Sequence, residues 1–132
     1  MSILFTVKKR KNPGNASAPE KFYLISKIRG HKKHKNILED AARNITSSPK
    51  EVDLSVSAWS ESVVRSLSDG FSVEVAEFGT FSVSIRSEGS DTEEDATVAK
   101  KESVQINFKA SPELRDMVNR FHLEKFDPNK SL

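Results

Sequence analysis

Glu77-Phe78-Gly79-Thr80-Phe81-Ser82-Val83-Ser84-Ile85-Arg86 is the stretch that decides how this chain reads. A glycine stands between two phenylalanines, and Phe81, Val83 and Ile85 then alternate with serines. A period of two predicts a strand with one inward face. Gly79 can take φ > 0 without a side-chain clash, which predicts a sharp reversal there. Upstream, Phe71, Val73 and Val75 alternate with Ser72, Glu74 and Ala76, so a strand leads into the reversal. Downstream, Ser87 to Thr97 holds five acids (Glu88, Asp91, Glu93, Glu94 and Asp95) and no aromatic residue. That composition predicts a mobile loop or arm tip. Lys100-Lys101 and the alternating Val104, Ile106 and Phe108 bring the chain back as a third strand.

Helical periodicity precedes this sheet. Ile37, Leu38, Ala41, Ala42 and Ile45 recur on one face and predict a helix over about 35–46. Ser48, Pro49 and Glu51 form a capping box with proline at N1, opening a second helix over about 49–68. Its stripe is Val52, Val56, Trp59, Val63 and Leu67, widened by Val64. Trp59 in mid-stripe reads as a core residue rather than a stacking platform. Gly70 closes this helix at the C′ position. Ser111-Pro112-Glu113 repeats the cap pattern, and Leu114, Met117, Val118 and Phe121 give a third helix over about 112–121. Phe121 to Phe126 reads as a last docked segment, within a C-terminal tail over 123–132 that frays from Asp127 onward.

The start of the chain differs in character. Residues 3–9 are β-branched and aromatic and read as a strand, followed by turn chemistry at Asn12-Pro13-Gly14-Asn15. Residues 21–28 alternate in part and predict a second strand. Such a two-stranded ribbon is marginal alone and must dock on something. His31 and His34 are three apart, but no third ligand of matching spacing accompanies them, so they read as part of a charged connector.

The overall charge of +2 hides a strong asymmetry. Residues 1–35 carry ten Lys or Arg against the single acid Glu20, a net +9, which leaves −7 for the remainder of the +2 total. A basic segment on an acidic body points to a polyanion partner, most often nucleic acid. The apolar fraction of 36% predicts a small core that a dimer would complete. With no cysteine there is neither a disulfide framework nor a thiolate metal site. No apolar run reaches the ~18–20 residues of a membrane span. Met1 to Arg10 has too short an apolar stretch for a signal peptide, so an intracellular, soluble protein is expected. Neither a Ser/His/acid set nor a glycine-rich phosphate loop is present, which argues against an enzyme, a cofactor or a small-molecule substrate.

The order helix, helix, strand, glycine turn, strand, arm, strand, helix resembles the bacterial histone-like HU and integration host factor family. Glu77-Phe78-Gly79-Thr80-Phe81-Ser82-Val83 resembles that family's G-F-G-x-F-x-V element, with Glu77 replacing the first glycine. Phe108-Lys109 with Leu114-Arg115-Asp116-Met117-Val118 resembles its F-K-P-G-K-x-L-K-x-x-V element. The resemblance covers about residues 33–120 and implies an α+β, integration-host-factor-like fold. Such a fold has two N-terminal helices, a three-stranded antiparallel sheet with a β-arm, and a C-terminal helix. Here an extra N-terminal β-ribbon precedes it, as in a divergent subgroup of the family. The implied division is a basic extension over 1–32, the HU-like domain over 33–122 with its arm at about 86–101, and a tail over 123–132.

The resemblance further implies an intertwined homodimer, nucleoid-associated in the cytoplasm, that binds double-stranded DNA through backbone and minor groove and bends it. The sequence departs from the family at the arm, which is short and acidic and lacks the R-N-P tip. It departs again at Pro112, which occupies the place of a lysine. The expected phosphate contacts are Arg86, Lys100 and Lys101 at the base of the arm, Lys109 and Arg115 beyond the third strand, and Lys8, Lys9, Arg10 and Lys11 on the ribbon. The basic ribbon either supplies phosphate contacts that the acidic arm does not, or extends the sheet with its lysines solvated. A second functional reading is an HU-like protein-interaction module whose acidic arm meets a basic partner.

Overall fold

A computed structural model describes residues 2–15 and 17–130. In chain order they form β1 (Ile3–Arg10), β2 (Lys21–Lys27), α1 (His34–Arg43), α2 (Pro49–Ser68), β3 (Val73–Val75), β4 (Gly79–Ser87), a 3-10 turn (Val98–Lys100), β5 (Lys101–Ala110), α3 (Pro112–Asn119) and β6 (Leu123–Lys125). The fold is α+β, with three helices and two three-stranded sheets among the described residues. One sheet, β3-β4-β5, is antiparallel throughout. The other has the order β2-β1-β6, with β1 antiparallel to β2 and parallel to β6.

Helix boundaries follow local chemistry. At the start of α2 the Ser48 hydroxyl accepts from the Glu51 N–H at 3.3 Å, and the Glu51 carboxylate accepts from the Ser48 N–H at 2.8 Å. This is the expected capping box, with Pro49 at N1. Its end is a Schellman motif. Gly70, at φ +90°, donates to the Leu67 carbonyl, and Phe71 N–H donates to the Ser66 carbonyl, both at 3.1 Å. Helix α1 begins one residue earlier than the periodicity predicts and ends three earlier, at Arg43. Asn36 draws the start forward by accepting from the Lys33 N–H at 3.1 Å. At the other end Ile45 is exposed, so burial rewards no further turn.

The reversal before β4 corrects one expectation. Ala76, at φ +42°, takes the left-handed conformation, and Phe78 N–H closes the turn on the Val75 carbonyl at 2.9 Å. Gly79 follows the turn as the first residue of β4, at φ +154°. A Cβ there would lie 2.1 Å from the Lys109 carbonyl oxygen. Glycine is needed because β5 approaches so closely. The strand expected from Phe71 is also shorter, because Phe71 still belongs to the α2 terminus and pairing begins at Val73.

The N-terminal hairpin is not isolated. Ile3 N–H donates to the His122 carbonyl and Phe126 N–H to the Phe5 carbonyl, both at 2.8 Å, framing the β1–β6 pairing. Residues 123–125, assigned by sequence to a tail, are therefore strand β6. The docked segment expected at 121–126 is attached through it. Of the tail expected to fray, Ser131 and Leu132 lie outside the described residues.

The buried apolar core is small: Leu4, Leu38, Ala42, Leu67 and Val75. Trp59, expected inside, is 49% exposed, and Ile85 on the supposed inward face of β4 is 72% exposed. Phe81 is half-buried against Phe108, with ring centroids 4.9 Å apart. The periodicity located the apolar faces, but one chain supplies too little to cover them.

Candidate nucleic-acid interface

The expected cations fall into three groups at separate places. Arg86 lies near the outer end of β4, opposite Ser103, and its Nε is 3.2 Å from the Glu102 carboxylate. Both side chains are exposed, so this pair is worth little in water and is easily exchanged. Lys101 opposes Ser87 across the bulge that ends the paired ribbon. Lys100 sits in the 3-10 turn, its carbonyl accepting from Glu88 N–H at 2.9 Å. These three gather at the base of the arm, as predicted.

The arm tip is a series of turns. The Thr92 hydroxyl accepts from Asp95 N–H at 3.3 Å, Ala96 N–H donates to the Glu93 carbonyl at 3.2 Å, and Lys100 N–H donates to the Thr97 carbonyl at 2.9 Å. The five carboxylates of the tip are exposed, and Glu88 lies beside the cationic base through its N–H bond to the Lys100 carbonyl. A strong negative field therefore precedes the cations at the end of this arm.

Lys109 opposes Thr80 at the other end of the β4–β5 ribbon, and Arg115 lies on α3. From Ser103 to Lys109 the strand advances six residues, about 20 Å, so these two do not share a site with the arm base. Lys109 borders a hollow that Glu74, Glu77 and Glu113 also line. The acids there oppose an anion. Ser111 stitches this end together. Its hydroxyl accepts from Leu114 N–H at 3.1 Å and donates to the Glu77 carbonyl, and its N–H donates to the Phe78 carbonyl at 2.8 Å.

The third group is on the β1–β2 hairpin. Lys8, Lys9, Arg10 and Lys11 are all exposed at its free end. Lys9 and Lys11 share Glu20, at 3.3 and 3.8 Å, and Lys9 Nζ is 5.8 Å from the centre of the Phe22 ring. Sequence reasoning omitted Lys21, which the register sets directly opposite Arg10. Only the loop length and pairing, which the turn residues do not specify, bring these two together. At the hairpin's docked end Lys27 Nζ lies 3.2 Å from the centre of the Phe126 ring.

His34 Nε2 lies 3.1 Å from Asp53 Oδ1, tying the α1 start to α2. Among the described residues no group of three or more His, Cys, Asp or Glu is placed to hold a metal ion. No helix of the described residues is long and apolar enough to cross a membrane.

Comparison with known proteins places this geometry. Residues 1–125 match the model of the HU-HIG family, described as an HU domain fused to wHTH, Ig or a glycine-rich motif. The match runs through the N-terminal hairpin as well as the helices and the arm. Among solved structures, a protein of Bacteroides vulgatus ATCC 8482, described as a candidate bacterial DNA-binding protein, superposes with a TM-score of 0.67 at 15% identity. That similarity covers 98% of this chain and 51% of the other, so the chain spans about half its length. Anabaena HU, solved with DNA, superposes with a TM-score of 0.52 at 20% identity, covering 67% of this chain and 99% of HU. No curated protein sequence matches significantly.

Proposed function

This chain belongs to the HU-HIG family, and we propose that it is an architectural protein binding duplex DNA largely without sequence preference. The observation that carries the reading is the family match over 1–125, combined with an HU-like ribbon whose outer end, the base of the arm, presents Arg86, Lys100 and Lys101. The similarity of fold to Anabaena HU, solved with DNA, supports it. Affinity comes from lysines and arginines displacing counterions from phosphates. Contact through the minor groove and bending of the duplex are part of this proposal, driven by backbone neutralisation and the deformability of DNA.

The active unit in this reading is a homodimer. Its support is the exposed apolar surface of α2, β4 and β5, including Trp59, Val64, Ile85 and Ile106. Large side chains this exposed on three elements, beside a buried core of five residues among those described, are what a second copy would cover. In the proposed division, 33–122 forms the HU-like body and the hairpin within 1–32 is an accessory to it. A nucleoid-associated, cytoplasmic location follows from the same reading.

Electrophoretic shifts with linear, nicked and pre-bent duplexes at physiological salt test it. Binding of at least one duplex at micromolar protein is expected. The acidic arm tip favours a second reading, a protein-interaction module that retains the scaffold. Failure to shift any of the three duplexes would select that reading instead.

A further inference from the structure

The two hairpins of this molecule carry opposite charge at their free ends. The β4–β5 arm ends in five acids, whereas β1–β2 ends in Lys8, Lys9, Arg10, Lys11 and Lys21 against Glu20 alone. Directly opposed residues of an antiparallel pair point to the same side, so the register sorts the basic end into two faces. One face holds Lys9 opposite Phe22, and Glu20 lies within reach of both Lys9 and Lys11. Glu20 offsets part of their charge, so this face carries less net positive charge than the other. The other face holds Lys8 opposite Tyr23 and Arg10 opposite Lys21. No carboxylate among the described residues lies within ion-pairing distance of Lys8, Arg10 or Lys21. Lys27, farther along this face, is occupied by the Phe126 ring.

Like charges set directly opposite each other destabilise a ribbon. The Arg10–Lys21 pair is therefore held at a cost that a bound anion would remove. The face is open and well hydrated, so a single small anion would gain little there. A polymeric anion gains from several such contacts at once and from the counterions it releases. Tyr23, 48% exposed beside Lys8, adds a hydroxyl donor of the kind that positions a phosphate backbone.

We propose that the Lys8–Arg10–Lys21–Tyr23 face of the β1–β2 hairpin is a second phosphate-binding surface, which grips the backbone of duplex DNA. The opposite face, where Glu20 offsets part of the charge of Lys9 and Lys11, is the weaker phosphate binder of the two. The inference rests on the duplex-binding reading. It goes further in assigning contacts to a different hairpin from the arm and to one face of it.

The test compares the full chain with two variants, Lys8→Gln/Arg10→Gln/Lys21→Gln and Lys9→Gln/Lys11→Gln. Each is titrated with a labelled duplex over a range of salt. The triple variant is expected to bind on the order of tenfold more weakly, with the log–log salt slope reduced by roughly two to three per engaged hairpin. The double variant is expected to change the slope by less than about one. Thermal melting reports the fold, and the triple variant is expected to melt no lower than the parent because it removes a repulsion. If it melts lower, Arg10→Gln alone serves, with an expected slope reduction of about one. An unchanged slope in the folded variant, or an equal weakening in the double variant, overturns this proposal while leaving duplex binding intact. Absence of binding by the parent chain instead overturns the function on which it rests.

Discussion

Gly79 concentrates the constraints of the fold in one residue. Its missing Cβ leaves room for the Lys109 carbonyl, which is backbone and cannot swing aside. Gly79→Ala is expected to cost about 3 kcal/mol or more, read from the urea midpoint. Ser111→Ala removes both the α3 cap and the bond to the turn at Glu77, and about 1–2 kcal/mol should be lost in the same measurement. Glu124 supplies a pH handle. Hydrogen bonds from Ser2 and Lys130, with the charge of Lys130, hold its carboxyl below the ordinary glutamate range. A depressed folded value means that its contribution is complete above the unfolded value and is lost as pH falls through the folded one. Amide exchange in β6 should therefore accelerate relative to β4 on acidification below the usual glutamate range. Glu124→Gln should flatten that dependence; unchanged acid sensitivity in the variant would contradict this assignment. The importance of Gly79 was legible in the sequence, but the reason was only half so. Its positive φ could be anticipated; the left-handed turn residue Ala76 and the nearness of Lys109 arise from the pairing of β3, β4 and β5.

Elements with strong local chemistry read well. The capping box at Ser48 and Glu51 and the Gly70 terminus set α2 to the residue, because those bonds are local. Alternation located the strands less sharply, since β3 begins at Val73 and Phe71 belongs to the α2 terminus. Strand β6 was harder, since three residues carry little periodicity and its pairing with β1 joins the two ends of the chain. The expected site followed the same division. The placement of Arg86, Lys100 and Lys101 at the base of the arm was legible because they flank a recognisable ribbon, whereas the position of Lys21 opposite Arg10 was not, because it depends on hairpin register. At this scale the acidic tip makes its own prediction. Glu93→Gln/Glu94→Gln/Asp95→Gln removes negative charge from the end of the arm, and duplex binding should tighten by about threefold to tenfold at low salt. An unchanged affinity would place the tip away from the DNA.

For the whole molecule, the question that the fold poses is what covers its apolar surface. A core of five buried apolar residues among those described, and an exposed Trp59, fit a chain that completes itself with a second copy. Trp59→Ala should lower the sedimentation coefficient at micromolar protein; an unchanged value would place the interface away from α2. In the proposed reading, a dimer, the arm base and the basic hairpin serve one activity, the neutralisation of a phosphate backbone. Equilibrium titration of the unmodified chain with a short labelled duplex, repeated over a series of salt concentrations, tests this most directly. Backbone neutralisation predicts saturable binding whose affinity falls steeply and linearly on log–log axes, with a slope corresponding to several phosphates. The absence of binding at micromolar protein even at low salt, or an affinity indifferent to salt, would contradict it.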